Sequence, residues 1–123
     1  FITIANNTFD NNAGTSISVT GRGGTMIFNN IITNSSTALA YNKLPNIDAT
    51  NPILPVFAYN LLFGNTTNIT PGSQVNATQN LLNVNPLYVD PANLDYRLNV
   101  SSPAVDSAIS EMAERGCRSV PLL

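Results

Sequence analysis

Between Phe1 and Asn83 the apolar residues come in short runs broken by Asn, Thr or Gly. Nothing in this region repeats at the i, i+3, i+4, i+7 spacing of an amphipathic helix. Gly, Pro, Asn and Thr, all weak helix formers, recur throughout. The runs read as strands instead: "FITIAN", "TMIFN" and "PVFAYN" each end on asparagine, and "TSISVTG" (Thr15 to Gly21) alternates strictly.

Four segments then align: "NTFDNN" from Asn7, "NIITNS" from Asn30, "NLLFGN" from Asn60 and "NLLNVN" from Asn80, at intervals of 23, 30 and 20 residues. Periods of this size mean stacked supersecondary units, each burying its neighbour's apolar face. Short β-rich units predict an all-β solenoid, with coils over residues 1–100. The "LxxLxLxxN" pattern of leucine-rich repeats is absent. Asparagine tolerates tight turns and its amide bonds backbone groups. Stacked at about 4.8 Å, identical amides also bond one another. Asn7, Asn30, Asn60 and Asn80 are therefore expected to form an asparagine ladder. The expected interior comprises Ile2, Ile4, Phe9, Ile17, Val19, Ile27, Ile31, Val56, Leu61, Leu62, Leu81 and Leu82. The longest interval holds three prolines and predicts a long loop over 35–55.

After residue 100 the period changes. Ser102 is placed to cap a helix with Pro103 at its first position. Ala104, Val105, Ala108, Ile109, Met112 and Ala113 follow at helical spacing, Glu111 and Arg115 pair at i,i+4, and Gly116 is a stop. An amphipathic helix over 101–116 and an extended tail over 117–123 are predicted.

The asparagine-led coils resemble the repeats of right-handed parallel β-helix proteins, the pectate-lyase-like group. The segment "NPLYVDPANLDYRLNVSSPAVDSA" resembles the closing motif of secreted bacterial and archaeal members. There, Asp-Pro is followed by Asp-Tyr-Arg-Leu and then Ser-Pro-Ala-Val-Asp, matched by Asp90, Pro91, Asp95 to Leu98 and Ser102 to Asp106. Where that family has Ala-Gly next, this chain has Ser107 and Ala108. The resemblance implies a right-handed parallel β-helix of about four coils, and an extracellular or cell-surface location. The family spans lyases, glycosidases and adhesins, so fold does not select a function.

Composition narrows the chemistry. With no histidine and a single cysteine, Ser–His–Asp and Cys–His arrangements cannot form within the chain, and Cys117 reads as a passive thiol. A net charge of −2 and only five basic residues exclude a nucleic-acid partner. No apolar run is long enough for a membrane span. Lyases of the resembled family need calcium carboxylates and a basic residue on one face. Lys43 and Asp48 share the long loop, and Tyr41 is the aromatic beside them, so these three are the candidate ligand-binding residues. Asp90 and Asp95 flank "DPANLD". They are the candidates for Ca²⁺, the alternative being an Asx-type turn, and no cofactor is otherwise assigned. Arg97 is expected to pair with Asp106. Six glycosylation sequons occur, with Asn34, Asn65 and Asn68 in predicted loops as the expected acceptors.

No catalytic residue is assigned. The expected function is a non-catalytic stalk, adhesin or filament component. Its open N-terminal end would stack on missing upstream coils or on another subunit. The alternatives are a fragment of a polysaccharide lyase or glycoside hydrolase, or a carbohydrate-binding module with polysaccharide as its partner.

Overall fold

A computed structural model describes residues 2–21, 24–43, 53–71, 73 and 76–108. The described chain is all-β. In order, its strands are β1 (Ile2–Ala5), β2 (Thr8–Asp10), β3 (Thr15–Thr20), β4 (Thr25–Phe28), β5 (Ile31–Thr33), β6 (Thr37–Asn42), β7 (Val56–Ala58), β8 (Leu61–Phe63), β9 (Thr67–Ile69), β10 (Asn76–Thr78), β11 (Leu81–Leu82), β12 (Tyr88–Asp90) and β13 (Asp95–Leu98). The first eleven strands form three parallel sheets with orders β1-β4-β7-β10, β2-β5-β8-β11 and β3-β6-β9. The chain thus visits the sheets in rotation, and each parallel pair is joined through strands of the other two. That gives the long crossover a parallel pair requires. β12 and β13 pair antiparallel around a single 3-10 turn, Pro91–Asn93.

Register explains the interior. Ile4, Ile27 and Phe57 align across the first sheet. Phe9, Ile32 and Leu62 align across the second, and Ile17, Leu39 and Ile69 across the third. With Val19, Ala38 and Tyr41 these columns form one apolar cluster. Like side chains stack on like, so each layer continues the surface of the last.

Side chains alternate across a strand, and this corrects part of the expected interior. Ile32 and Leu62 face the central cluster, whereas Ile31, Leu61 and Leu81 occupy the alternate face of the second sheet, where Leu61 is nonetheless buried as expected. Val56 pairs with Met26 on the alternate face of the first sheet, and Phe57 is the inward residue. Ile2 and Leu82 lie in the end layers and are 63% and 49% exposed, where their column neighbours are covered.

Two further expectations are overturned. Residues 37–42 belong to β6, paired in register with β3, so the loop predicted over 35–55 begins later. The inward alternation of Thr37, Leu39 and Tyr41 decides this against the prolines that follow. The helix predicted from Ser102 does not propagate through the described residues. Ser102 Oγ accepts from the Ala104 N–H at 3.1 Å, as a cap would. Asp106 then turns left-handed, with φ 59°, and only turns run over 103–106. A left-handed residue ends helical propagation. The remainder of that helix and the 117–123 tail lie outside the described residues.

Candidate functional site

Between the first and second sheets the chain turns a corner in each layer, and the same two positions recur. Asn6, Asn29, Tyr59 and Gln79 all adopt the left-handed conformation, with φ between 55° and 59°. The residues that follow are Asn7, Asn30, Asn60 and Asn80. The left-handed position therefore stands one residue before the repeated asparagine, whose contribution is its side chain.

Those side chains stand in one column. The Asn7 backbone N–H and amide both donate to Asn30 Oδ1 at 3.1 Å. The same two groups of Asn30 donate to Asn60 Oδ1 at 3.1 and 3.0 Å, and those of Asn60 donate to Asn80 Oδ1 at 2.9 and 3.0 Å. Each amide also reaches the first sheet: Asn30 Nδ2 donates to Ile4 O, Asn60 Nδ2 to Ile27 O and Asn80 Nδ2 to Phe57 O. Asn30 and Asn60 are both 1% exposed. Amides saturated in this way can be buried without the penalty of an unmade bond.

A second corner, between the second and third sheets, stacks Asn12, Ser35 and Asn65. Asn65 Oδ1 accepts from the Ser35 N–H at 2.9 Å, and its Nδ2 donates to Ile32 O at 2.9 Å. The left-handed residues here are Asn11, Asn34 and Gly64. A Cβ at Gly64 would lie 2.5 Å from Asn34 Oδ1, so any other residue there would have to displace the Asn34 side chain.

The β12–β13 hairpin lies against the second sheet and reaches back to the first layer. Tyr96 donates from its hydroxyl to Asp10 Oδ2 at 3.1 Å, across 86 residues. Asp10 Oδ1 accepts from Thr33 Oγ1 at 2.6 Å and from Asn34 Nδ2 at 2.9 Å. The Tyr88 hydroxyl is 3.3 Å from Thr33 Oγ1, and the Tyr88 and Tyr96 rings meet edge to face with centroids 5.2 Å apart. Partial burial pushes the Asp10 carboxyl up, but hydrogen bonds from Thr33, Asn34, Tyr96 and the Asn11 N–H together hold it below its ordinary value. The bond to Asp10, with burial adding to it, raises the Tyr96 phenol, and burial chiefly raises Tyr88. Asp10 is an anchoring carboxylate, with both oxygens engaged.

Of the expected ligand residues, the two that are described do not share a surface. Tyr41 is 6% exposed and donates to Gly21 O at 2.8 Å, so it is a core residue that no surface ligand reaches. Lys43 is exposed just past β6, and Asp48 lies outside the described residues. Asp90 and Asp95 pair across the hairpin. Asp90 accepts from Asn93 Nδ2 at 2.7 Å. Asp95 forms an exposed ion pair of 2.6 Å with Arg97, which replaces the expected Arg97–Asp106 pair because positions two apart share one face of a strand. The Arg97 guanidinium holds the Asp95 carboxyl down at about 2. Among the described residues no three His, Cys, Asp or Glu side chains come together. Of the expected glycan acceptors, Asn65 has its Nδ2 engaged twice, by Ile32 O and Asn68 Oδ1. Asn34 and Asn68 donate once each, to Asp10 and Asn83.

Sequence reasoning missed the Asp10–Tyr96 tie and the presence of two surface grooves. One groove, of about 240 Å³, follows the first corner. The other, of about 270 Å³, lies between the second sheet and the segment leading into β12. No helix among the described residues is long and apolar enough to cross a membrane. No family model, curated protein or solved structure matches this chain.

Proposed function

We propose that this chain is a non-catalytic structural and interaction segment of an extracellular or surface-displayed right-handed parallel β-helix. About four coils make up the segment, and the β12–β13 hairpin packs along their side. The supporting observation is the state of the asparagine column at its first layer. Each lower Oδ1 receives two donors from the asparagine above it, whereas no donor among the described residues reaches Asn7 Oδ1. β1, β2 and β3 are also edge strands of their sheets, and Ile2 on this face is 63% exposed. Unpaired strand edges beside an apolar surface form a template for further strands. The occupant is another coil, from the same chain or from a second subunit. Among the described acids, Asp10, Asp90 and Asp95 are engaged in side-chain bonds, which favours a structural role over hydrolysis or elimination.

Light scattering tests this reading. The protein is expected to associate beyond its 13.1 kDa monomer as concentration rises. Ile2→Lys, which places a charge on the stacking face, is expected to suppress association. A wild-type chain that stays monomeric at every concentration overturns it.

A further inference from the structure

The groove along the first corner has three walls of distinct chemistry. One bank is the row of left-handed residues, Asn6, Asn29, Tyr59 and Gln79, one per layer and so about 4.8 Å apart. The floor is apolar, formed by Ile31, Leu61 and Leu81 of the second sheet. Leu98, Ala104 and Ser107 form the opposite bank. None of the described lining residues carries a charge.

The backbone of the row identifies what is unusual in it. A left-handed turn is least strained with glycine or asparagine, because other side chains crowd the neighbouring carbonyl. Asn6 and Asn29 satisfy that preference. Tyr59, with φ 56°, and Gln79, with φ 55°, do not. Strained backbone of this kind persists where the surrounding structure holds it, and it concentrates at binding surfaces. Asparagine would make the same turn at both positions with less strain, so the turn alone does not account for Tyr59 or Gln79. Both side chains line the groove, and Tyr59 remains partly exposed there.

An aromatic ring, amides that both donate and accept, an apolar floor and no charge together match one ligand chemistry. A pyranose ring presents an apolar C–H face and an edge of hydroxyl groups. Tyrosine stacks on the face, and amides pair with adjacent hydroxyls. We propose that this groove binds an extended, uncharged oligosaccharide lying along the stack, with Tyr59 as its stacking platform and Asn6 and Gln79 as hydroxyl partners. Uronates are disfavoured, since the lining offers no cation to offset desolvation of a carboxylate.

This proposal rests on the reading of the chain as an interaction segment, and its test is independent of association. Calorimetric titration with neutral cello-, manno- and xylo-oligosaccharides, and with oligogalacturonate as the charged counterpart, is compared for wild type and Tyr59→Asn. Saturable binding of at least one neutral series is expected, with none of the uronate. Tyr59→Asn is expected to weaken that binding about tenfold and to raise Tm, because asparagine relieves the left-handed strain. Loss of affinity in a variant that melts higher cannot be misfolding. The proposal is overturned if no neutral series binds, if uronate binds as well, or if Tyr59→Asn binds like wild type. Each of these results leaves the light-scattering outcome for Ile2→Lys as it stands.

Discussion

The asparagine column and the hairpin anchor at Asp10 both tie distant parts of this chain together, by opposite means. The column is buried, uncharged and repeated, and each amide serves the layers on either side of it. The anchor is partly exposed and ionised, and occurs once. Burial decides the energetic difference. Removing a buried amide strands its partners away from water, whereas removing a surface carboxylate lets water replace it.

The largest expected effect therefore lies at Asn60. Asn60→Leu leaves the Asn30 N–H without its acceptor in the core and takes the amide donor from the Ile27 carbonyl. It is expected to cost about 4 kcal/mol, enough to unfold a marginal domain, as read by chemical denaturation. Asn7→Ala, in the exposed first layer, is expected to cost only about 1 kcal/mol. Equal losses at the two positions would mean that the column does not share load by burial.

Asp10 comes next. Asp10→Ala removes the acceptor for Thr33, Asn34 and Tyr96 and is expected to cost about 1–2 kcal/mol. Its pH dependence separates it from the column. The folded pKa of Asp10 lies below its ordinary value, so its contribution is present above the unfolded pKa and lost as pH falls through the folded one. Tyr96 and Tyr88 are raised, so theirs is present below the ordinary phenol pKa and lost as pH rises through the folded values. Tm of the wild type is expected to fall below about pH 4 and above about pH 10, and Asp10→Ala to flatten the acid limb. An unchanged acid limb in that variant would remove Asp10 as its source.

The smallest effect is expected at Arg97. Its bond to Asp95 is short, but the side chain is 80% exposed. Exposed pairs of this kind contribute little. Arg97→Ala is expected to leave Tm unchanged, and a fall of several degrees would show that the hairpin depends on this pair.

The asparagine column was legible because identical residues recur beside strand-like runs, a signal that needs only one dimension. The face of each strand was harder to read. In "NLLFGN" and "NIITNS" two apolar residues follow the asparagine, and alternation cannot say which points inward until the corner's backbone is known. Left-handed Asn29 and Tyr59 set that phase, so Ile32 took the central cluster in place of Ile31, while Leu61 and Leu62 are both buried, on opposite faces of the second sheet. β6 was obscured by the prolines after it, although its own alternation was present. The Asp10–Tyr96 tie left no periodic trace, being a single side-chain bond between segments 86 residues apart. Over the described residues the predicted helix stops at Asp106, which adopts a conformation that the helical spacing around it does not reveal. The groove row was hidden for a related reason: what marks Tyr59 and Gln79 is their backbone angle.

The asparagine column also has a direction. From Asn30 to Asn80, each carboxamide oxygen turns toward the preceding layer and takes two N–H groups from it. The exposed end at Asn7 therefore offers an acceptor, and the end at Asn80 is next in line as a donor. Two first layers facing each other would set oxygen against oxygen, so these ends do not support a two-fold dimer. First layer on last layer is the complementary contact, and such head-to-tail joining has no built-in stopping point. In an assembly of the proposed kind, growth would be limited by whatever covers the last layer, and its length would be a property of its cap.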